Sequence, residues 1–398
     1  MYPRRNLFLI GLALTLLACG GGGGGGSSML PNGQSPEVTP VSNEPQQHWA
    51  LSRVAPASLD LVPADVDAIL DFVFTDLATQ SVLVSKDGYV VGERYAQGFS
   101  AEDLGTSWSV AKSIYSAAMG VAIAEGYFTS VSQRASDLLT EFVGTDKEEI
   151  VLEQILRMRS GLASNTDVFF SGDQTAHALA NTLTNAPGTA FDYSNANSQL
   201  FEPLIRRATG LDAHSYVIEK ILRPIGIDPV NVGLWLDETG TQPMTYCCID
   251  MRPDDFLRFG LLYARDGMWE GTEVIPEGYV TASLTPIGFY GYQWWAMNEA
   301  YFGRAVRGDI KSAIGLDGQR ILVWPEQDIV VVVLTQYQHF ANQGYVLDLE
   351  GPDLNFPNTC TGRNRCPAAA GEDVSAGPVV PTYDTHTLVE LIVDLVQE

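Results

Sequence analysis

Between Pro63 and Phe74 the apolar residues Val66, Ile69, Leu70 and Val73 recur at helical spacing behind a proline, which predicts an amphipathic helix. Ser81–Val84 and Tyr89–Val91 flank Lys86-Asp87-Gly88, and Asp-Gly between two apolar runs predicts a β-hairpin. From Ser109 to Glu125 the chain is Ala-rich, with Val110, Ile114, Ala117, Ala118 and Val121 on one stripe. A helix so poor in charge belongs in the interior. Residues 126–280 alternate loops with helical segments at Val151–Met158, Thr175–Thr184, Ser198–Thr209, Ala213–Leu222 and Pro253–Asp266. Strand patterns return at Tyr292–Met297, Gln319–Trp324 and Ile329–Thr335, the last two joined by a turn at Pro325-Glu326-Gln327-Asp328. A final helix is predicted over Thr385–Val396 from Leu388, Leu391, Ile392, Leu395 and Val396.

Strands at both ends with helices between them predict an α/β (α+β) fold. One antiparallel sheet is built from both ends of the chain and flanked by helices, with an inserted helical subdomain at about 126–280. Residues 336–384 are too long for a plain connection and rich in Gly, Pro and Asn, so a functional loop pinned by its two cysteines is expected there.

The first residues follow a different logic. Arg4-Arg5 precede an apolar run from Leu7 to Leu17, about half the ~20 residues that span a bilayer. Leu16-Leu17-Ala18-Cys19 resembles the bacterial lipoprotein box, which implies a signal peptide over 1–18 and lipidation of Cys19. Gly20–Gly26, Ser27-Ser28 and a polar stretch to about Gln47 cannot bury enough apolar surface to fold. Residues 19–55 are therefore expected to be a flexible tether and 56–398 the globular body. The expected location is exported and membrane-anchored, facing the periplasm or cell exterior, in the outer membrane of a bacterium.

Composition narrows the partners. The 398 residues are 45% hydrophobic, far from a disordered chain, and 23 Lys and Arg stand against 48 Asp and Glu for a formal charge of −25. Such a surface repels nucleic acid and anionic lipid, so no nucleic-acid partner is expected and the membrane is met only through the N-terminal lipid. Cys247, Cys248, Cys360 and Cys366 are candidate disulfide residues in an exported setting. A local Cys360–Cys366 bridge, a vicinal Cys247–Cys248 bridge and cross-pairs all remain open. No spacing suits a structural zinc site, and no cofactor is implied.

Nucleophile patterns are informative by elimination. The chain has no Gly-x-Ser-x-Gly, no His-Glu-x-x-His and no phosphate-binding Gly-x-x-x-x-Gly-Lys. It has one Ser-x-x-Lys, Ser109-Val110-Ala111-Lys112, at the head of the Ala-rich helix. Residues i and i+3 share a helix face, so the hydroxyl and the amine can meet. Partial desolvation and the positive end of the helix both lower a lysine pKa there, as a general base requires. A capping serine followed by a snorkelling lysine would give the same four letters. Further on, Pro187-Gly188-Thr189-Ala190-Phe191-Asp192-Tyr193-Ser194-Asn195 sets Tyr-Ser-Asn between a turn and a helix starting near Ser198. A phenol placed there can relay a proton to a leaving group.

Together with Leu156-Arg157-Met158-Arg159-Ser160-Gly161-Leu162, these two motifs resemble the serine β-lactamase-related hydrolases. That family includes class C β-lactamases, DD-peptidases, several esterases and the 6-aminohexanoate-dimer hydrolases, the branch this chain resembles most. Asp255-Phe256-Leu257-Arg258-Phe259-Gly260, Asp266-Gly267-Met268-Trp269 and Gly315-Leu316-Asp317-Gly318-Gln319 extend the likeness over about residues 60–340. The resemblance implies a β-lactamase/DD-peptidase-like fold and an exported serine hydrolase that cleaves an ester or amide through an acyl-serine. It makes Ser109 the nucleophile, Lys112 its base and Tyr193 the proton shuttle. Asn195 would orient Lys112 and substrate, and the backbone N–H groups of Ser109 and Gln319 would form the oxyanion hole. Asp317 and Gly318 would help to orient substrate. One departure is chemical: the Lys-Thr-Gly or His-Thr-Gly of β-lactamases and DD-peptidases stands here as Leu316-Asp317-Gly318. Without a cation, a substrate carboxylate is poorly held, which favours neutral esters or amides. A DD-peptidase or β-lactamase, and a catalytically silent surface-binding lipoprotein, are the rival expectations. The second rival is opposed by the intact Ser109, Lys112 and Tyr193.

Overall fold

Ile329–Thr335 reads Ile-Val-Val-Val-Val-Leu-Thr and is buried at every position, so it is a strand covered on both faces. Around it, the computed structural model describes residues 49–164, 167–335, 346–347, 379–380 and 383–396. The segment 1–18 expected to be a signal peptide, Cys19, Cys360, Cys366 and nearly all of 336–384 lie outside the described residues.

The main sheet has six antiparallel strands: β1 (Thr79–Lys86), β2 (Tyr89–Tyr95), β3 (Trp295–Ala296), β4 (Lys311–Ile314), β5 (Arg320–Trp324) and β6 (Ile329–Thr335). Their spatial order is β2-β1-β6-β5-β4-β3, so the first hairpin pairs directly with a strand from near the other end of the chain. The expected sheet built from both ends is therefore present. The β1–β2 hairpin turns through Asp87 and Gly88, both at positive φ (53° and 77°), as a tight hairpin turn requires.

Alternation along β6 divides the core. Val330, Val332 and Leu334 face a large helical core, whereas Ile329, Val331 and Val333 face a smaller one. Helices α1 (Pro63–Val73) and α4 (Thr385–Asp394) cover the smaller side. Helices α2 (Ala111–Ala124) and α3 (Pro253–Ala264) lie on the other. The α3 helix approaches closely because Gly260 has no side chain; a Cβ there would stand 2.5 Å from Val330 Cγ1. A small second sheet places Ile249–Met251 between Gly105–Thr106 and Gly233–Leu234, and this brings residues 246–249 beside the head of α2.

Several boundaries differ from expectation. Within the described residues, packing against the body already includes Trp49, Leu51 and Arg53, ahead of residue 56. Leu51 is only 1% exposed. The Trp49 ring lies 4.8 Å from that of Trp269, and Arg53 pairs with Glu93 and Asp254. Two apolar residues in a polar stretch carry no periodic signal. The strand expected over Tyr292–Met297 shrinks to Trp295–Ala296, because Gln293 is in the left-handed region (φ 63°) and breaks the run. The helix expected at Ser198 starts at Asn195, with the Ser194 hydroxyl accepting the Asn197 N–H. Ala213–Val217 is α-helical and Ile218–Leu222 continues it as a π turn.

Candidate active site

Ser109 sits in a tight 3-10 turn, Trp108–Val110, that leads into α2. The α2 N-cap is Val110, with no side-chain cap, so Ser109 is not there to close a helix end. From Asp103 to Ala122 every residue is buried except Ser109, which is partly open. One hydroxyl is thus offered through an otherwise closed wall.

The turn is fixed from three sides. Trp108 is held at φ 43°, a left-handed conformation that a bulky residue adopts only when its surroundings impose it. Ser107 is clamped to the second sheet: its N–H donates to the Ile249 carbonyl (2.9 Å) and its hydroxyl accepts the Ile249 N–H (2.7 Å). On the third side stands Gly315. A Cβ built on it would meet the Ser107 carbonyl oxygen at 2.4 Å and Trp108 Cβ at 3.1 Å. Its φ of −114° is ordinary, so glycine is required there for space, not for conformation.

Lys112 lies one turn further on and is 1% exposed. Its Nζ is 2.7 Å from Ser109 Oγ, 2.8 Å from Asn195 Oδ1 and 2.7 Å from the Tyr246 carbonyl oxygen. Three acceptors suit an ammonium, but burial dominates and holds the Lys112 pKa well below that of a free lysine. An amine shifted in that direction gives up its proton more readily than a free lysine, which is what proton transfer with the adjacent hydroxyl needs. The Tyr193 ring is 5.0 Å from Nζ, and its phenol reaches Ser109; burial raises the phenol pKa above its usual value, so Tyr193 keeps its proton. Ser109, Lys112, Tyr193 and Asn195 thus meet at one point.

Tyr246 is the site residue the sequence did not reveal. It contributes a backbone oxygen, which carries no residue-type signal. Its ring is anchored separately, through its hydroxyl donating to Gln174 Oε1 (2.9 Å) and by edge contact with Phe169. Cys247 and Cys248 follow at once, both buried, and the structure joins their sulfurs to each other.

The Gly315–Gln319 turn leads into β5. Asp317 is in the left-handed region and only 4% exposed, and Gly318 has φ 95°. The Gln319 side chain exchanges bonds with Thr335: Nε2 donates to Thr335 Oγ1 (2.8 Å) and Oε1 accepts the Thr335 N–H (3.1 Å). The Gln319 backbone N–H turns back on the Leu316 carbonyl at a long 3.4 Å.

A family model described as Beta-lactamase matches residues 73–349. The 6-aminohexanoate-dimer hydrolase of Paenarthrobacter ureafaciens is 24% identical over 353 residues, 75% of this chain and 86% of that protein. A penicillin-binding protein homologue from Caulobacter crescentus has a similar structure. Its TM-score is 0.57 at 16% identity, over 69% of this chain and 91% of that one. A class C β-lactamase variant gives a TM-score of 0.54 at 16% identity, over the same shares. At such identities the structural likeness speaks for the fold.

Proposed function

The chain belongs to the β-lactamase family, and from that premise we propose that it is a serine hydrolase whose nucleophile is Ser109 and whose substrate is a neutral ester or amide. The observation that carries this reading is the 2.7 Å contact between Ser109 Oγ and the buried Lys112 Nζ. In the forward step the neutral Lys112 amine takes the Ser109 proton as Oγ bonds to the carbonyl carbon. The C–O or C–N bond then breaks, and Tyr193, still protonated, gives its proton to the leaving atom. Tyr193 recovers a proton from the Lys112 ammonium. Water next attacks the Ser109 ester with Lys112 taking its proton; the C–Oγ bond then breaks, the Lys112 ammonium returns that proton to Ser109 Oγ, and the acid is released.

The charge that builds on the carbonyl oxygen falls to the backbone N–H groups of Ser109 and Gln319. The long Gln319 bond to Leu316 is weak enough to be exchanged for an anion, and one such donor lowers a barrier by roughly 3–4 kcal/mol. Asn195 holds Lys112 in register, and Asp317 with Gly318 shapes the turn that carries Gln319.

The likeness to the 6-aminohexanoate-dimer hydrolase of Paenarthrobacter ureafaciens supports aminohexanoate dimers among the substrates to be tried. Leu316 and Asp317, where a carboxylate-binding cation would stand, speak against D-Ala-D-Ala ends and β-lactams. Export through residues 1–18 and a lipid on Cys19 complete the proposal. The test is a panel of short-chain p-nitrophenyl esters, aminohexanoate dimers and nitrocefin, with fluorophosphonate labelling, on wild type and Ser109→Ala. Labelling and ester turnover that vanish in the variant support the reading. Activity unchanged in Ser109→Ala overturns it, and stable acylation by a fluorescent penicillin would favour a DD-peptidase instead.

A further inference from the structure

A chain of aromatic rings leads outward from Tyr193. The Trp295 ring centroid lies 5.4 Å from that of Tyr193, 4.7 Å from Tyr290 and 6.0 Å from Phe191. Phe289 lies parallel to Trp295 at 6.0 Å and 4°, and Tyr301 meets it edge-on at 5.6 Å. Tyr290 is buried beneath, at 2% exposure, while the other five rings are each partly open. Trp295 is on β3, the last strand of the sheet, with β4 on one side and a single bridge to Tyr290 on the other.

None of these six side chains carries a charge. Rings that are partly open and contiguous with a reacting hydroxyl form an apolar surface of the kind that marks a ligand groove. A planar indole flanked by a parallel phenyl suits a flat aryl group or a flexible alkyl chain, and it discriminates by buried area. Burying one methylene is worth about a factor of four in affinity.

Resting on the Ser109 reading, we propose that Trp295, with Tyr193, Phe289 and Tyr301, is an apolar subsite that binds an aryl or medium-length alkyl portion of the substrate. The enzyme is then selective for esters and amides that carry such a group over acetyl-sized ones.

Two ester series test this, one lengthening the acyl chain from acetate to octanoate and the other lengthening the alcohol from ethanol to octanol. Each is measured as kcat/KM on wild type, Trp295→Ala and Trp295→Phe. In one of the two series wild type is expected to favour the long member by tenfold or more, an effect of about two buried methylenes. Trp295→Ala collapses that ratio by about tenfold, and Trp295→Phe restores most of it. The series affected tells which side of the scissile bond lies on the rings. A ratio that Trp295→Ala leaves unchanged, including an equal fall for short and long members, overturns the proposal. So does a wild type indifferent to length in both series.

A second measurement needs no chemistry. Binding of acetamide through octanamide to Ser109→Ala protein, read by tryptophan fluorescence, should tighten with chain length, and Trp295→Ala in that background should flatten the trend. A flat trend before Trp295 is changed overturns the subsite. Ester turnover that persists in Ser109→Ala instead overturns the nucleophile, so the two failures are distinct.

Discussion

Lys112 Nζ and Asn195 Oδ1 stand 2.8 Å apart, although the helix heads that carry them belong to segments 83 residues apart in the chain. A neutral amide there holds the lysine in place without adding charge. Exchanging it for a carboxylate changes the charge alone. Asn195→Asp is expected to raise the Lys112 pKa, because an adjacent anion favours the ammonium. The base is then protonated at pH values where wild type is active. The rising limb of kcat/KM against pH should therefore move upward by about 1–3 units. A pH–rate profile of both proteins checks this, and an unmoved limb would show that Lys112 is not the group titrating.

Lys112 itself admits a sharper comparison. Lys112→Met removes the proposed base and should lower kcat by about 10²- to 10⁴-fold. Lys112→Arg keeps a cation yet should do no better, since a guanidinium does not give up its proton. Single-turnover acylation by a chromogenic ester reads both. Recovery with arginine would assign Lys112 an electrostatic role in place of proton transfer.

Gly315→Ala places a methyl where the Ser107 carbonyl already stands at 2.4 Å. Because both partners are backbone, neither can rotate away, and the turn before Ser109 must shift. A loss of about 1–3 kcal/mol in stability is expected, with a larger loss in kcat than in substrate binding. Chemical denaturation together with steady-state kinetics separates the two effects. Unaltered kcat would mean that the nucleophile turn tolerates displacement.

A pH-sensitive element lies against α2 at Tyr115. His214 accepts the Tyr115 hydroxyl at Nδ1 (2.6 Å) and donates from Nε2 to the Trp235 carbonyl (2.8 Å). Burial depresses its pKa to about 4. The unfolded chain takes up this proton near the ordinary value of about 6.5, so between the two the unfolded state binds more protons. The stability contribution is complete above about pH 6.5. It then falls by about 1.4 kcal/mol per pH unit as acidity increases toward pH 4. His214→Gln should flatten this dependence between pH 4 and 6.5, measured as denaturation midpoints, even where it lowers stability at neutral pH. An unchanged slope would place the acid sensitivity in another group.

Much of this was legible in the chain because the relevant signals are local. The α1 stripe, the Asp87-Gly88 hairpin, the α2 helix with Lys112 as its one charged residue and the apolar run of β6 each announce themselves within about a dozen residues. The Ser109–Lys112 pair is a single turn of chain, and Tyr193 and Asn195 are near neighbours. What escaped was non-local or backbone-borne. The Tyr246 carbonyl reaches Lys112 across 134 residues and has no side-chain signature. Trp295 and Tyr301 join Tyr193 only because β3 closes the sheet edge beside it. The helix Glu277–Leu284 mixes Gly, Thr and Ser with its apolar residues and shows no stripe. Strand β4 begins at Lys311, a residue type that argues against a buried strand until its pairing with Asp309 is seen.

The pairing of β1 with β6 also sets a timetable. Ser85 bonds to Val330 across 245 residues, so the first hairpin is complete early in synthesis but lacks its inner neighbour until nearly the whole chain has been made. At ribosomal speeds of about 5–20 residues per second that wait lasts on the order of tens of seconds. Until then the sheet that backs α2 is missing its central strand, and the wall around Ser109 has nothing to close against. A nascent or truncated chain ending before Ile329 would therefore carry Ser109, the proposed nucleophile, without its closed wall, and hydrolysis is expected only once β6 has been made.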